Sequence, residues 1–381
     1  MILILHYQIL NLINFFSPIY IALVFFLIKE IETVSDIFIV VSFITIFTQG
    51  FSANLRNIYL GSKIFMEFKK IVLIRILIGV FAFILTIYIT SSFFLSMKSN
   101  YRVIDSIIFL AIINWIFELV IAKLEKERKF NIYYCLNTLF LFLTIPLGVY
   151  FQDSFYLPLL IIFNTFINIY IFRYLFLEVI KDINKLNKKI FKKIFFHIGI
   201  MSTLLRAIVN FFWKYFIVFF IGKEQATFLF IGFTVGSFYG TLFDISYGAH
   251  FLKNLKNRKL FMNILFIFYG FLILLFLFLL KTFLNFNYVE INRLIFPICF
   301  SVIGAFIMIK ALMLRQVYYE QVKLRLSCYK ADIFIQILNF LIVPFLYYLD
   351  SRFIVSAYLF SSIFFYLVFS SIAIKNGNEF K

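Results

Sequence analysis

The sequence is a succession of long apolar runs that are separated by short polar connections. A helix needs about 20 predominantly apolar residues to cross the hydrocarbon core of a bilayer. Applied along the 381 residues, this rule predicts twelve spans. The predicted spans are 6–28, 37–58, 71–96, 104–122, 131–151, 155–179, 194–221, 225–250, 260–280, 292–314, 330–349 and 352–374. No connection is long enough to fold as a soluble domain.

Composition supports the same fold class. Hydrophobic residues make up 64% of the chain and charged residues 14%, with a mean hydropathy of +1.00. A soluble domain of this length has too much surface to cover with so few polar side chains. We therefore predict an all-α polytopic membrane protein, with about twelve transmembrane helices in two six-helix bundles around a central cavity. The residues after Met1 show no basic segment and no small-residue cleavage site, so we expect insertion through the first span.

Positive charge is distributed unevenly over the connections. The net charge of +18 would suggest a nucleic-acid partner in a soluble protein. Here lysine and arginine concentrate in the even-numbered connections and the C-terminal tail, which predicts cytoplasmic termini and no nucleic-acid partner. The most basic connection, 181–193, is predicted to be a cytoplasmic linker between an N-terminal half, 1–180, and a C-terminal half, 194–381. We interpret its lysines as topological anchors rather than as a binding site.

Several classes of function lack their sequence signatures. The chain contains neither the phosphate-binding pattern G-x-x-x-x-G-K-[ST] nor the zinc-binding pattern H-E-x-x-H. Its three histidines lie far apart, and its three cysteines form no C-x-x-C pair. We therefore predict that the protein is not an enzyme and holds neither a metal nor another cofactor.

Charged and polar side chains recur within two adjacent predicted spans, the seventh and the eighth. One face of the seventh carries Thr203, Arg206, Asn210, Trp213 and Lys214. One face of the eighth carries Ser237, Gly240, Thr241, Asp244 and Gly248. Ionisable groups at membrane depth cost roughly 2.5 kcal/mol or more and point to function. We predict that these two faces line a cavity.

Depth separates the two cations of the seventh span. Arg206 lies about 18 Å along a helix that starts near residue 194, too deep to reach the cytoplasmic interface easily. Lys214 lies within about two turns of the outer end, so it also fits the role of an interfacial anchor. Asp244 fits three roles: a counter-ion to Arg206, a site for a coupling cation, or a salt-bridge partner that only stabilises the bundle.

Polar residues in the other spans allow more than one interpretation. Arg56 shares a face of the second span with Gln49 and Ser52, and fits either cavity lining or an arginine that reaches to the interface. Glu118, near the cytoplasmic end of the fourth span, is predicted to pair with Lys123 or Arg75.

Spacing alone suggests helix packing at two further places. Asn164 and Asn168 lie one turn apart in the sixth span, where they fit either interhelical hydrogen bonding or cavity lining. Gly232, Gly236 and Gly240 recur at every fourth residue of the eighth span. This glycine face predicts close packing against a neighbouring helix.

Two short segments carry a family resemblance. The end of the second span reads Gln49-Gly50-Phe51-Ser52-Ala53-Asn54-Leu55-Arg56-Asn57, and Trp115 is followed by the basic segment Lys123–Lys129. Together with the predicted topology, these segments resemble the O-antigen/polysaccharide flippase branch of the multidrug/oligosaccharidyl-lipid/polysaccharide exporter superfamily. The resemblance implies a flippase in the bacterial cytoplasmic (inner) membrane that moves undecaprenyl-diphosphate-linked oligosaccharide for surface polysaccharide synthesis.

For this implied function, charge and position suggest roles for individual residues and partners. Arg56, Arg206 and Lys214 would contact the anionic pyrophosphate headgroup, with Asn210 and Trp213 beside them. Asp244 would couple transport to a cation or gate the cavity. Membrane lipids, a coupling cation and a polysaccharide polymerase are the further partners that such a protein allows.

Two alternatives remain open from the sequence. One is a cation-coupled exporter of small molecules from the same superfamily. Such exporters often depend on acidic residues in the N-terminal half, whereas the apolar body of spans one to six contains only Glu118 and Glu178, both near cytoplasmic ends. The other alternative is a non-transporting membrane assembly subunit.

Overall fold

The computed structural model describes residues 2–48, 68–93, 101–127, 129, 131–151, 155–181, 198–242, 258–284, 286–320 and 325–377. Regular structure in these ranges is helical throughout. The α-helices are α1 (Ile2–Leu27), α2 (Ile31–Thr48), α3 (Phe68–Phe93), α4 (Tyr101–Glu127), α5 (Ile132–Tyr150), α6 (Tyr156–Ile171), α7 (Arg173–Lys181), α8 (Ile198–Ile221), α9 (Lys223–Leu242), α10 (Arg258–Thr282), α11 (Tyr288–Glu320), α12 (Arg325–Leu349) and α13 (Ala357–Gly377). A 3-10 helix, Ser351–Ser356, leads into α13.

Many of these helices are long and apolar enough to cross a membrane. Within the described ranges, eight segments meet that requirement: Ile31–Thr48, Ile71–Thr90, Tyr101–Glu127, Ile132–Tyr150, Met201–Ile221, Tyr288–Arg315, Ser327–Leu349 and Ser351–Ile372. The bent pair α6 and α7 would form a ninth. The all-α polytopic membrane fold is therefore confirmed. The total of twelve spans stays a prediction, although a helix overlaps each of the twelve predicted segments.

The predicted span 155–179 is not one straight helix. Helices α6 and α7 meet at Phe172 with a bend of 79°. The second piece is amphipathic: Leu175 and Val179 are buried among residues of α3, α4 and α5, whereas Arg173 and Glu178 are exposed. If α6 continued straight, Arg173 and Glu178 would extend in line with its apolar residues. The bend instead lays the apolar side of α7 on the helix bundle.

The chain divides into two compact units, Met1–Phe211 and Phe212–Lys381. In the first, α4 packs against α1, α2, α3 and α6, and α5 packs against α1 and α6. In the second, α11 packs against α9 and α13, and α12 packs against α13. The boundary between the units falls inside α8. The predicted linker 181–193 lies outside the described residues after Lys181, so the predicted division into halves stays a prediction.

The glycine face of the eighth predicted span packs closely, as expected. A Cβ atom added to Gly232 would lie 2.4 Å from Pro297 Cβ, and one added to Gly236 would lie 2.6 Å from the carbonyl oxygen of Ile298. At Gly240 the nearest atom would be Ala305 Cβ at 3.3 Å. These glycines therefore let α9 and α11 approach backbone to backbone, and the packing prediction is confirmed.

Candidate functional site

Helix α8 carries a polar row within an apolar spanning segment. Arg206 and Asn210 are exposed, and Trp213 and Lys214 are half-buried. At 1.5 Å per residue, Arg206 lies about 7.5 Å inside the Met201 end of the span, and Lys214 about 10 Å inside the Ile221 end. Over the described residues, the two cations therefore lie at comparable depth, with Asn210 between them.

The exposure of these side chains is informative because the helix that carries them is long and apolar enough to cross a membrane. An arginine or lysine side chain in contact with acyl chains is costly, so such residues face a hydrated cavity, a polar partner or the interface. Fewer residues of the α8 span are buried than in any of the other described spans. The row on α8 is thus the candidate site for a polar or anionic ligand.

In the second unit, a hydrogen bond and edge-to-face ring contacts connect α8 to α12. Trp213 donates its indole N–H to the backbone carbonyl of Asn339, with a nitrogen–oxygen distance of 2.6 Å. Phe212 and Phe216 each contact the ring of Phe340, at centroid distances of 5.5 and 5.6 Å. The predicted binding residue Trp213 is therefore held in a defined position against α12.

Helix α12 contains a buried polar row that the sequence analysis missed. Asp332, Gln336 and Asn339 lie at i, i+4 and i+7, and none is more than 6% exposed. Their spacing, which places three polar groups on one side of an apolar helix, was the available signal. Of the three, Asn339 lies next to Trp213, so the row begins beside the candidate site.

An arginine neutralises Asp332, the first residue of this row in the chain. Arg315 of α11 donates to both carboxylate oxygens of Asp332, with the shortest distance, 2.6 Å, from Nη2 to Oδ2. The predicted span 292–314 left Arg315 in the connection that follows it. The structure places it inside α11, because that helix continues to Glu320.

The first unit contains a second buried ion pair, which confirms a sequence prediction. Arg75 Nη1 lies 2.8 Å from Glu118 Oε2, and the guanidinium lies over the ring of Trp115 at 4.9 Å. The Arg75 side chain is 1% exposed, whereas the Glu118 side chain is 33% exposed. Of the two partners that were expected for Glu118, Arg75 is the one that binds it.

Two amide clusters join helices of the first unit. Asn137 Nδ2 donates to the carbonyl oxygen of Asn164 and to Asn168 Oδ1, at 3.0 and 2.9 Å. Asn164 Nδ2 returns a hydrogen bond to the carbonyl oxygen of Asn137 at 2.7 Å. All three residues are buried, so Asn164 and Asn168 join α6 to α5 rather than line a cavity. Asn14 and Asn114 likewise join α1 to α4, where Asn114 Nδ2 donates to Ser17 Oγ at 2.9 Å.

One acidic residue of the first unit contradicts the sequence analysis. Asp36 is 1% exposed and lies within the spanning segment Ile31–Thr48. The predicted second span started at residue 37, which left Asp36 in a connection. The helix starts at Ile31 because the preceding connection is only a short turn. Glu118 and Glu178 are therefore not the only acids in the body of the N-terminal spans.

Two of the predicted site residues lie outside the described ranges. Arg56 falls in 49–67 and Asp244 falls in 243–257, so their roles stay predictions. The described residues contain no group of three or more histidine, cysteine or acidic side chains that would hold a metal ion.

Fold and polar rows together define the class of this protein, an all-α polytopic membrane protein with charged residues inside its spans. No model of a known protein family, no curated protein and no solved structure matches the chain.

Proposed function

We propose that the protein is a flippase that moves an undecaprenyl-diphosphate-linked oligosaccharide across the bacterial cytoplasmic membrane, with both termini in the cytoplasm. One observation carries this proposal: Arg206 and Asn210 are exposed, with Lys214 half-buried beside them, inside a membrane-spanning helix. A diphosphate with attached sugars cannot cross hydrocarbon unaided. It needs cations and hydrogen-bonding groups at the depth where this row lies.

The residue types in the row suit that headgroup. An arginine guanidinium offers paired N–H donors that match two phosphate oxygens, and a lysine ammonium adds a point charge. Asn210 supplies an amide between the two cations. The prenyl chain would remain in the lipid while the headgroup passes along α8. The product would serve surface polysaccharide synthesis, with a polymerase acting on it next.

A transport assay tests this proposal. The protein is reconstituted into vesicles with a fluorescent undecaprenyl-diphosphate oligosaccharide, and the fraction accessible to an external quencher is followed over time. A hydrogen bond to a charged group contributes about 1.5–3 kcal/mol, so Arg206→Ala should slow flipping by about tenfold to a hundredfold. Lys214→Ala should act in the same direction.

Arg352→Ala provides the matched control. Arg352 is an exposed arginine, 89% accessible, at the connection before α13. Its hydrogen bonds to Asp350 lower the pKa of that carboxyl from its ordinary value, so it already has a local partner. Flipping should therefore be unchanged in this variant. Wild-type rates in the Arg206→Ala variant, at equal protein content, would refute the proposal.

A second candidate function, a cation-coupled exporter of small molecules, is favoured by one observation. Asp36 is a buried carboxylate in a spanning helix of the first unit, the kind of group that binds a proton or a sodium ion during coupled transport. In this case an imposed proton or sodium gradient should drive uptake of a cationic dye into vesicles. Asp36→Asn should abolish gradient-driven uptake. Dye uptake that does not respond to either gradient would exclude the exporter.

A further inference from the structure

Asn339 is a buried polar residue whose side-chain oxygen is unsatisfied. The residue is 6% exposed, and among the described residues Oδ1 has no hydrogen-bond partner. A buried acceptor without a donor costs about 1–3 kcal/mol, so this oxygen has a strong reason to bind a donor from another molecule. Its backbone carbonyl already accepts the indole N–H of Trp213, so the side chain is the free acceptor.

Further acceptors lie close to this oxygen along α12. Gln336, one turn earlier, is also buried, at 5% exposure. Pro344 lies four residues after Phe340 and has no N–H, so it cannot donate to the carbonyl of Phe340 as a regular helical residue would. This stretch of α12 therefore offers side-chain amides and a backbone carbonyl without its regular helical donor. It fits a ligand that carries hydroxyl groups.

Aromatic rings lie beside Asn339. Trp213 is half-buried, and Phe212, Phe216 and Phe340 contact one another beside it. Small-molecule sites combine apolar and aromatic walls with a few polar groups that set the orientation. Sugars present hydroxyl groups along their edges and C–H groups on their faces, which match an amide acceptor and an aromatic ring.

We propose that Asn339, Gln336 and the ring of Trp213 form a sugar subsite, in which Asn339 Oδ1 accepts a hydrogen bond from a hydroxyl group. This inference rests on the proposed function and names the part of the substrate that the site reads. Lys214 follows Trp213 directly in the chain. In a lipid-linked oligosaccharide the diphosphate adjoins the first sugar, and Trp213 and Lys214 lie in the same turn of α8, so one substrate can contact both residues.

The composition of the chain provides a specific probe. Trp115 and Trp213 are its two tryptophans, so the full-length protein with Trp115→Phe reports on Trp213 alone. The protein, in lipid nanodiscs, is titrated with free trisaccharides built from hexose, N-acetylhexosamine or deoxyhexose units. At least one should change the emission saturably. Asn339→Leu should weaken that binding about tenfold or more, a loss of about 1.4 kcal/mol or more.

Gln225→Leu is the matched control, because it makes the same kind of change at an exposed position of α9. Its dissociation constant should equal that of the Trp115→Phe parent. The inference is overturned if no trisaccharide alters the emission. It is also overturned if Asn339→Leu shifts the unliganded spectrum but leaves the dissociation constant unchanged, which is the result of a structural role alone.

A transport comparison separates this inference from the proposed function. In the vesicle assay, Asn339→Leu should slow the glycosylated lipid while leaving undecaprenyl diphosphate without sugars at the wild-type rate. Equal slowing of both lipids would overturn the sugar subsite. If the wild-type protein moves neither lipid but Trp213 still binds a trisaccharide in an Asn339-dependent manner, the flippase proposal fails and the subsite stands.

Discussion

Charged side chains in the spans of this protein occur in two environments. Arg75 is enclosed, with Glu118 opposite its guanidinium and Trp115 beneath it. Arg206 is exposed on α8. A buried ion pair contributes little net stability, because desolvation of both charges offsets their attraction. Loss of one partner, however, leaves an uncompensated buried charge. Arg75 therefore serves the folding of the first unit, whereas Arg206 is the residue that we propose for ligand contact.

The unequal burial of Arg75 and Glu118 leads to an asymmetric mutational prediction. Glu118→Gln leaves the arginine charge enclosed without the carboxylate that faces it, at a cost of about 3–5 kcal/mol. Arg75→Met should cost less, because Glu118 is one-third exposed and its charge can be hydrated. Thermal unfolding of the purified variants measures both effects.

The double variant Arg75→Met/Glu118→Leu serves as the control for this pair. Replacing both charges by apolar groups of similar volume is often neutral or stabilising, so its melting temperature should return close to that of the wild type. A double variant that is less stable than Glu118→Gln would show that the pair stabilises the fold by itself.

At the residue scale, an interaction could be predicted when its partners are evident from the sequence nearby, and not when it depends on a distant residue. The Arg75–Glu118 pairing was expected because few charges were available to compensate Glu118. Asp36 was missed because hydropathy placed the start of its span one residue beyond it. Asn339 gave only a weak pattern, since its significance depends on Trp213, which lies 126 positions away in the chain.

Among the elements, α9 and α11 form the tightest described contact that depends on glycine. The clearance differs along this interface, from 2.6 Å between a Cβ at Gly236 and the Ile298 carbonyl oxygen to 3.3 Å between one at Gly240 and Ala305 Cβ. The obstacle at Gly236 is partly backbone, which cannot move aside as a flexible side chain does.

These clearances predict a graded alanine series. Gly236→Ala should force the helices apart and destabilise the second unit by about 1–3 kcal/mol, as overpacking does. Gly240→Ala should cost less. Gly270→Ala, on α10, meets nothing within 4 Å, and should be neutral or stabilise by about 0.5–1 kcal/mol through helix propensity. Thermal unfolding in detergent gives the order, and a Gly236→Ala variant as stable as Gly270→Ala would contradict it.

The ends of helices could be predicted where an apolar run stopped at a charged turn. Other helix ends were harder to predict. The predicted span 155–179 read as continuous because Tyr174, Phe176 and Leu177 keep the segment apolar around Arg173. Its break at Phe172 depends on the surface that receives Leu175 and Val179. Other helices form that surface, so the sequence of the segment alone does not predict the break.

For the molecule as a whole, the membrane class was predictable and the partner helices were not. Hydropathy is a sum over neighbouring residues, and it identified every apolar helix that the structure describes. Pairing between residues of different helices, such as Arg315 with Asp332 or Trp213 with Asn339, depends on packing that a single sequence does not record. The polar row on α8 was therefore predicted from the sequence, whereas its neighbour on α12, Asn339, was found only in the structure.

The asparagine cluster between α5 and α6 has a consequence for biogenesis. A helix that leaves the translocon alone would present Asn164 and Asn168 to acyl chains, which raises the cost of its insertion. Asn137 of the preceding helix donates to Asn168 Oδ1, and its backbone carbonyl accepts from Asn164 Nδ2. We therefore expect α5 to wait at the lateral gate until α6 has been synthesised, so that the two helices enter the bilayer as a hairpin with their amides already paired.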